Sequence, residues 1–223
     1  MYDHAVNRIP TIVFVVITAL ACTALVYFLR VGWPHLAAGA KAVASTGFLA
    51  TAVSAGALRH RFGRALFAGL VLSFFGDLFL VGTTRTAFLL GLGSFLLAHV
   101  AYIIAFTLYG LNKKWLAIAA VPVLIVAALV VNWLSPELPG DLVRPVYAYI
   151  AVISLMVMAA FGSKGAGAST LVVVGAIMFF MSDLSVAAQR ILQSDFPTII
   201  WGLPLYYAGQ ICLALSTSQS SSQ

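Results

Sequence analysis

The stretch TIVFVVITALACTALVYFL, residues 11–29, contains no charged side chain and is long enough to cross a membrane. A spanning α-helix needs about 20 apolar residues, because each residue advances the helix by only about 1.5 Å. Similar runs recur along the 223 residues of the chain, of which 62% are hydrophobic and only 8% charged. Because a soluble domain carries about a quarter charged residues, the sequence predicts an all-α, polytopic membrane protein without room for a large soluble domain.

Short polar, glycine-rich and proline-rich segments divide the apolar runs into predicted helices. Eight are predicted, over residues 10–30, 37–58, 64–82, 86–109, 115–134, 143–161, 168–189 and 196–216. We therefore expect a single eight-helix transmembrane domain over residues 1–216 and a disordered polar tail over residues 217–223. Cys22 and Cys212 lie inside apolar runs, a position typical of small core residues rather than of a disulfide framework.

The distribution of Lys and Arg favours an orientation with both termini in the cytoplasm. In that orientation seven of them lie in cytoplasmic segments and five on the other side, and one of these five, Lys41, falls inside a helix. The formal net charge of +6 does not indicate a nucleic-acid partner, because the basic residues are scattered over short loops. We expect membrane lipids around the protein and no nucleic acid, and no pattern in the sequence specifies an oligomeric state.

Two aspartates stand inside predicted spans, Asp77 in SFFGDLFLVG (73–82) and Asp183 in IMFFMSDLSVAA (177–188). An ionisable side chain in a span costs about 2.5–3.5 kcal/mol, so such residues normally face the bundle interior and mark function. The alternative is a carboxyl group that only packs against a neighbouring helix. The third and seventh helices run in the same direction, which places both aspartates in the outer half, at the level of Lys41. These matched positions also hint at a duplication of four helices plus four.

Further polar side chains accompany the aspartates along the predicted helices. Each one alone is typical of packing or of an interfacial belt, but together they suggest one polar interior. The set comprises Ser73, His99, Tyr102, Ser182, Arg190, Tyr206, Tyr207 and Gln210.

Two carboxyl groups at equal depth suit acid/base chemistry, because two such groups in an apolar site can hold one proton between them near neutral pH. A metal site is disfavoured, since His99 is the only histidine inside a predicted span and neither HExxH nor CxxC occurs. The G-x-S-x-G elbow of serine hydrolases and a glycine-rich phosphate loop are absent too.

Four segments carry a resemblance to a known family: SFFGDLFL (73–80), FLLAHVAY (95–102), FFMSDLSVA (179–187) and YYAGQICLA (206–214). Together they resemble the lysoplasmalogenase (YhhN-like) membrane family, and Lys41 resembles the lysine in the second helix of that family. The resemblance implies a multi-pass protein of a bacterial inner membrane. It also implies a lysophospholipid substrate, whose vinyl ether bond is hydrolysed to a fatty aldehyde and a glycerophospho-base.

Cleavage of a vinyl ether needs a proton donor for the β-carbon, a carboxylate to stabilise the resulting oxocarbenium ion, and a base for water. Two carboxyl groups suffice for glycoside cleavage through a similar cation, so we predict that Asp77 and Asp183 share these roles without a metal or organic cofactor. Either Lys41 or Arg190 is expected to hold the lipid phosphate. The expected positioning residues for water or the sn-2 hydroxyl are His99, Tyr206, Tyr207 and Gln210.

Three other functions remain open at this level. An intramembrane aspartyl protease also uses two membrane aspartates, but FFGD (74–77) lacks the first glycine of its G-x-G-D motif. A proton-coupled transporter could use Asp77 and Asp183 as a proton relay, and Gly202 and Pro204 could then break the last helix. In a structural or assembly protein, changing either aspartate would affect stability but no turnover.

Overall fold

A computed structural model describes residues 8–193 and 197–218 of the chain. The described part contains eight α-helices, each long and apolar enough to cross a membrane, which confirms the predicted all-α membrane fold. Short 3₁₀ turns at Ala57–Arg59 and Ser135–Glu137 join two of the helix pairs. The helices are α1 (Arg8–Arg30), α2 (Pro34–Ser54), α3 (Arg61–Phe79), α4 (Arg85–Tyr109), α5 (Lys113–Leu134), α6 (Gly140–Gly165), α7 (Thr170–Arg190) and α8 (Ile199–Ser216).

Local capping moves two helix boundaries from the predicted positions. The α3 helix begins at Arg61 rather than 64, because the imidazole of His60 accepts a hydrogen bond from the backbone N–H of Gly63 at 3.0 Å. The α2 helix ends at Ser54, and Gly56 follows with a positive φ of 93° that favours glycine. It also begins earlier than predicted, at Pro34, which places a second histidine, His35, in the first turn of a span.

The last helix is continuous. Gly202 and Pro204 both lie inside α8, so the break expected for a transporter at these residues is wrong. The first residue of the predicted eighth span, 196, and residues 219–223 of the predicted tail lie outside the described residues.

Neighbouring helices form antiparallel pairs that close into a bundle. The pairs α1/α2, α3/α4, α5/α6 and α7/α8 pack together, while α8 also contacts α1 and α2, and α6 contacts both α4 and α7. We call the end of the bundle opposite Arg8 and Ser218 the distal end. The C-terminal ends of α1, α3, α5 and α7 lie at this end.

The contacts among the first four helices recur among the last four. The α2/α3 contact corresponds to α6/α7, and the α2/α8 contact to α6/α4. Gly69 and Gly175 each stand eight residues before the aspartate of their helix. A Cβ at Gly175 would lie 2.8 Å from the carbonyl oxygen of Gly209, so this glycine lets α7 approach α8 closely. The corresponding helices α3 and α7 thus carry Asp77 and Asp183.

Candidate active site

A cavity of about 510 Å³ lies in the distal half of the bundle, and both aspartates line it. Most of its wall is aliphatic or aromatic, and the wall includes Leu25, Val130 and Phe180. Six of the residues that the sequence singles out line this cavity: Lys41, Asp77, Ser182, Asp183, Arg190 and Tyr206.

Asp77 is surrounded by hydrogen-bond donors. Its carboxylate accepts from Ser45 Oγ at 2.6 Å and from the hydroxyl of Tyr206 at 2.7 Å. Lys41 Nζ lies 3.3 Å from the other carboxylate oxygen, and its side chain is 13% exposed. Asp77 itself is only 2% exposed. Because three donors converge on a buried group, the surroundings satisfy an ionised carboxylate.

Asp183 is held by a different pair of side chains. The hydroxyl of Tyr149 donates to its Oδ2 at 2.7 Å, and His99 Nε2 lies 3.6 Å from the same oxygen. His99 Nε2 also lies 3.0 Å from the Tyr149 hydroxyl. Because the single proton of that hydroxyl goes to Asp183, its oxygen accepts from Nε2–H of His99. The proton of the imidazole is thereby placed on Nε2.

Asp183 and His99 each keep one atom without a hydrogen-bond partner among the described residues. The Asp183 side chain is 20% exposed, and its Oδ1 has no hydrogen-bond partner among the described residues. His99 is fully buried, and its Nδ1 lacks a partner among the described residues. Asp183 therefore presents one free carboxyl oxygen to the cavity.

The two aspartates face one cavity as separate groups. No hydrogen bond joins them within residues 8–193 and 197–218. The ring of Phe179 packs edge to face against His99 at 4.6 Å and against Tyr206 at 5.3 Å, between centroids. The carboxyl groups thus have distinct partners rather than forming a hydrogen-bonded dyad.

Five of the residues singled out from the sequence do not line the cavity: Ser73, His99, Tyr102, Tyr207 and Gln210. They are buried behind its wall, where the Tyr102 hydroxyl donates to Gln210 Oε1 at 2.9 Å and lies 3.2 Å from Ser73 Oγ. The hydroxyl of Tyr207 lies 3.2 Å from Ser45 Oγ. Their positions support the cavity wall, and their direct contact with a substrate stays a prediction.

Ser182 and Arg190 line the cavity without binding either aspartate. The hydroxyl of Ser182 donates to the carbonyl of Phe179 in its own helix at 2.9 Å. Arg190 Nη2 donates to the carbonyl of Leu80 at 3.3 Å, near the distal end. In the part of the chain that the structure describes, no group of three His, Cys, Asp or Glu side chains could hold a metal ion.

Two residues of the site are missed by the sequence reasoning, Ser45 and Tyr149. Ser45 lies among the small residues of α2, and Tyr149 lies on α6 two residues after another tyrosine. A hydroxyl costs little inside a helix that packs in a membrane protein, so neither residue stands out as an aspartate does.

By fold and site, the chain is a polytopic membrane protein whose interior places two carboxylates with different partners on one largely apolar cavity. The model of the YhhN family matches residues 36–217, a range that contains both aspartates and Lys41. The chain therefore belongs to the YhhN family.

Curated relatives match over most of the chain. The lysoplasmalogenase TMEM86A of Bos taurus is 29% identical over 169 residues, which cover 73% of this chain and 69% of that protein. TMEM86A of Homo sapiens, also named a lysoplasmalogenase, is 31% identical over 170 residues with the same coverage. The lysoplasmalogenase of Mycobacterium tuberculosis is 32% identical over 152 residues, 65% of this chain and 58% of that protein. No solved structure matches the chain significantly.

Proposed function

We propose that this protein is a lysoplasmalogenase, a membrane hydrolase that cleaves the vinyl ether bond of lysoplasmalogens to a fatty aldehyde and a glycerophospho-base. One observation carries the proposal: two carboxyl groups, each with its own set of partners, face the same largely apolar cavity. The relatives named lysoplasmalogenase support the choice of substrate.

The reaction begins with protonation of the β-carbon of the vinyl ether. The double-bond electrons form the new C–H bond, and the α-carbon becomes an oxocarbenium ion. Water adds to this carbon and loses a proton, which gives a hemiacetal. The hemiacetal collapses, its C–O bond to glycerol breaks, and the products are the aldehyde and the glycerol hydroxyl.

We assign the proton donor to Asp183 and the carboxylate to Asp77. Asp183 has a free Oδ1 at the cavity that can carry a proton, while its Oδ2 accepts from Tyr149. Asp77 already accepts from three donors, one of them the ammonium of Lys41, so it suits the ionised partner that stabilises the cation and takes a proton from water. During the collapse the hemiacetal hydroxyl gives its proton to Asp183, and Asp77 gives the proton taken from water to the leaving glycerol oxygen, so both carboxyl groups return to their starting states.

The apolar wall suits the alkenyl chain, and the membrane setting suits a lysophospholipid. The eight spans make the protein an integral, multi-pass membrane protein. We further propose that it resides in a bacterial inner membrane. The excess of Lys and Arg supports an orientation with both termini in the cytoplasm. The distal end with its cavity then faces outward.

The test is aldehyde release from lysoplasmenylethanolamine by purified protein in detergent, where no gradient can form. Wild type should release aldehyde, and Asp77→Asn and Asp183→Asn should each lose at least about a hundredfold in kcat, the usual contribution of a general acid or base. A saturated 1-O-alkyl analogue, which has no carbon to protonate, is the substrate control. Thermal unfolding of each variant shows whether it is folded.

A well-folded wild type that releases no aldehyde from any lysoplasmalogen headgroup would rule out the proposal. Full activity in either folded aspartate variant would rule out the assigned chemistry.

A further inference from the structure

A second cavity of about 460 Å³ adjoins the first at the distal end. It is built from the α3–α4 connection, the α5–α6 connection and the end of α7. Four residues line both cavities and so mark where they meet: Thr83, Phe88, Arg190 and Ile191. The rest of this second cavity is more polar than the first and includes Thr84, Arg85, Glu137 and Gln193.

The charged residues of the second cavity differ in whether they form an ion pair. The guanidinium of Arg85 forms an ion pair with Asp141, which neutralises it. Arg190 and Glu137 have no ion pair within residues 8–193 and 197–218, and the only described contact of the Arg190 guanidinium is the carbonyl of Leu80. The cavity therefore offers one free cation and one free anion from the described part of the chain.

We propose that the second cavity is a subsite for a zwitterionic headgroup, with the phosphate at Arg190 and the amine at Glu137. The inference rests on the proposed function and assigns the residues that recognise the headgroup of its substrate. An arginine matches phosphate through paired N–H donors, and a free carboxylate attracts an ammonium group. A phosphoethanolamine or phosphocholine group carries both charges a few bonds apart.

The position of Arg190 fits the chemistry of the substrate. The vinyl ether oxygen and the phosphate sit at opposite ends of one glycerol unit, so the phosphate must lie close to the reacting bond but away from the alkenyl chain. Arg190 stands at the junction of the two cavities, follows Asp183 on α7 by two turns, and is therefore about 10 Å further toward the distal end. Lys41, the other expected phosphate ligand, is already engaged with Asp77.

Glu137 should make the subsite selective for the charge that the headgroup carries. It should favour a headgroup that ends in an amine, and it should disfavour a bare phosphate monoester, which brings extra negative charge and no cation. Because Glu137 is exposed, the effect of this single charge should be modest, as for other exposed ion pairs.

The experiment compares kcat/KM for three lipids with the same alkenyl chain: lysoplasmenylethanolamine, 1-alkenylglycerol 3-phosphate and 1-alkenylglycerol. In Glu137→Gln, the preference for the ethanolamine lipid over the phosphate monoester should fall about threefold to fivefold. In Arg190→Gln, kcat/KM should fall about tenfold or more for both phospholipids, and it should stay within about twofold for 1-alkenylglycerol. Arg144→Gln is the matched control, since Arg144 is exposed near the distal end and lines neither cavity.

Binding of the saturated 1-O-alkyl lysophosphoethanolamine, measured by titration calorimetry, separates this inference from the hydrolase proposal. Wild type should bind this analogue more tightly than Arg190→Gln does, whether or not the protein hydrolyses vinyl ethers. Water-soluble glycerophosphoethanolamine, added as a competitor, tests whether the zwitterion is recognised without its chain. If glycerophosphoethanolamine displaces the lipid from wild type but not from Arg190→Gln, the headgroup is the part that is recognised.

Equal losses on all three lipids in Arg190→Gln would overturn the phosphate assignment, and Glu137→Gln with an unchanged headgroup ratio would overturn the amine assignment. If wild type releases no aldehyde but binds the analogue through Arg190, the hydrolase proposal fails and the subsite stands. If it releases aldehyde equally from all three lipids, the subsite fails and the hydrolase stands.

Discussion

The change Tyr149→Phe tests the part of the site that the sequence does not reveal. It removes one hydroxyl that donates to Asp183 Oδ2 at 2.7 Å and accepts from His99 Nε2 at 3.0 Å. The ring stays in place, so the cavity wall keeps its shape. If Asp183 is the proton donor, the bond from Tyr149 strengthens as the carboxyl group gives up its proton.

The size of the effect follows from that change in charge. A hydrogen bond to a neutral group contributes about 0.5–1.5 kcal/mol and one to a charged group about 1.5–3 kcal/mol. The difference of about 1–1.5 kcal/mol is available only in the transition state, so kcat should fall about fivefold to tenfold while KM stays within twofold. Stability should fall by at most about 1–3 kcal/mol, because Nε2–H of buried His99 loses its acceptor unless it turns to Asp183, 3.6 Å away.

The matched control is Tyr147→Phe on the same helix. The hydroxyl of Tyr147 contacts Ser135 at an exposed site, and the residue does not line the cavity. Both variants and wild type are assayed for aldehyde release from lysoplasmenylethanolamine over a range of concentrations, with thermal unfolding of each. A wild-type kcat in folded Tyr149→Phe, or an equal loss in Tyr147→Phe, would refute the role of Tyr149 at Asp183.

Two further predictions concern the charge pair and the helix packing. Lys41→Met leaves buried Asp77 without its counter-charge and should lower stability by about 3 kcal/mol. Lys41→Arg should recover part of this lost stability. Equal melting temperatures for wild type and both variants would contradict the prediction. Gly175→Ala places a methyl group against the carbonyl of Gly209 and should lower stability by about 1–3 kcal/mol. The control Gly93→Ala, where nothing lies within 4 Å of the added carbon, should be neutral or slightly stabilising. A higher melting temperature in detergent for Gly175→Ala than for Gly93→Ala would contradict the α7–α8 packing.

The sequence predicts best those features whose free-energy cost is apparent from a local run of residues. An apolar run of spanning length has few alternatives to a membrane helix, and a carboxyl group inside such a run must be compensated wherever its partner lies. The eight spans, and the meeting of Asp77 and Asp183 on one cavity, were therefore accessible without a structure.

The partners of the aspartates were not accessible, because they depend on which side of each helix faces inward. Tyr147 and Tyr149 are two residues apart on α6, yet only Tyr149 reaches Asp183, and nothing local distinguishes them. Ser45 meets Asp77 across 32 positions of sequence for the same reason. The start of α3 also differs from the predicted one, because the imidazole of His60 caps this helix. An apolar pattern does not reveal such a cap.

The recurrence of helix contacts between the two halves has a consequence for how a new activity could arise on this fold. The two aspartates stand on corresponding helices, and they differ in the side chains that the other helices place beside them. Asp77 lies beside the ammonium group of Lys41, and Asp183 accepts from the Tyr149 phenol, against which the His99 imidazole lies. An engineer who wished to exchange the roles of the two acids, or to make them equal, would therefore leave both aspartates alone and transplant their neighbours.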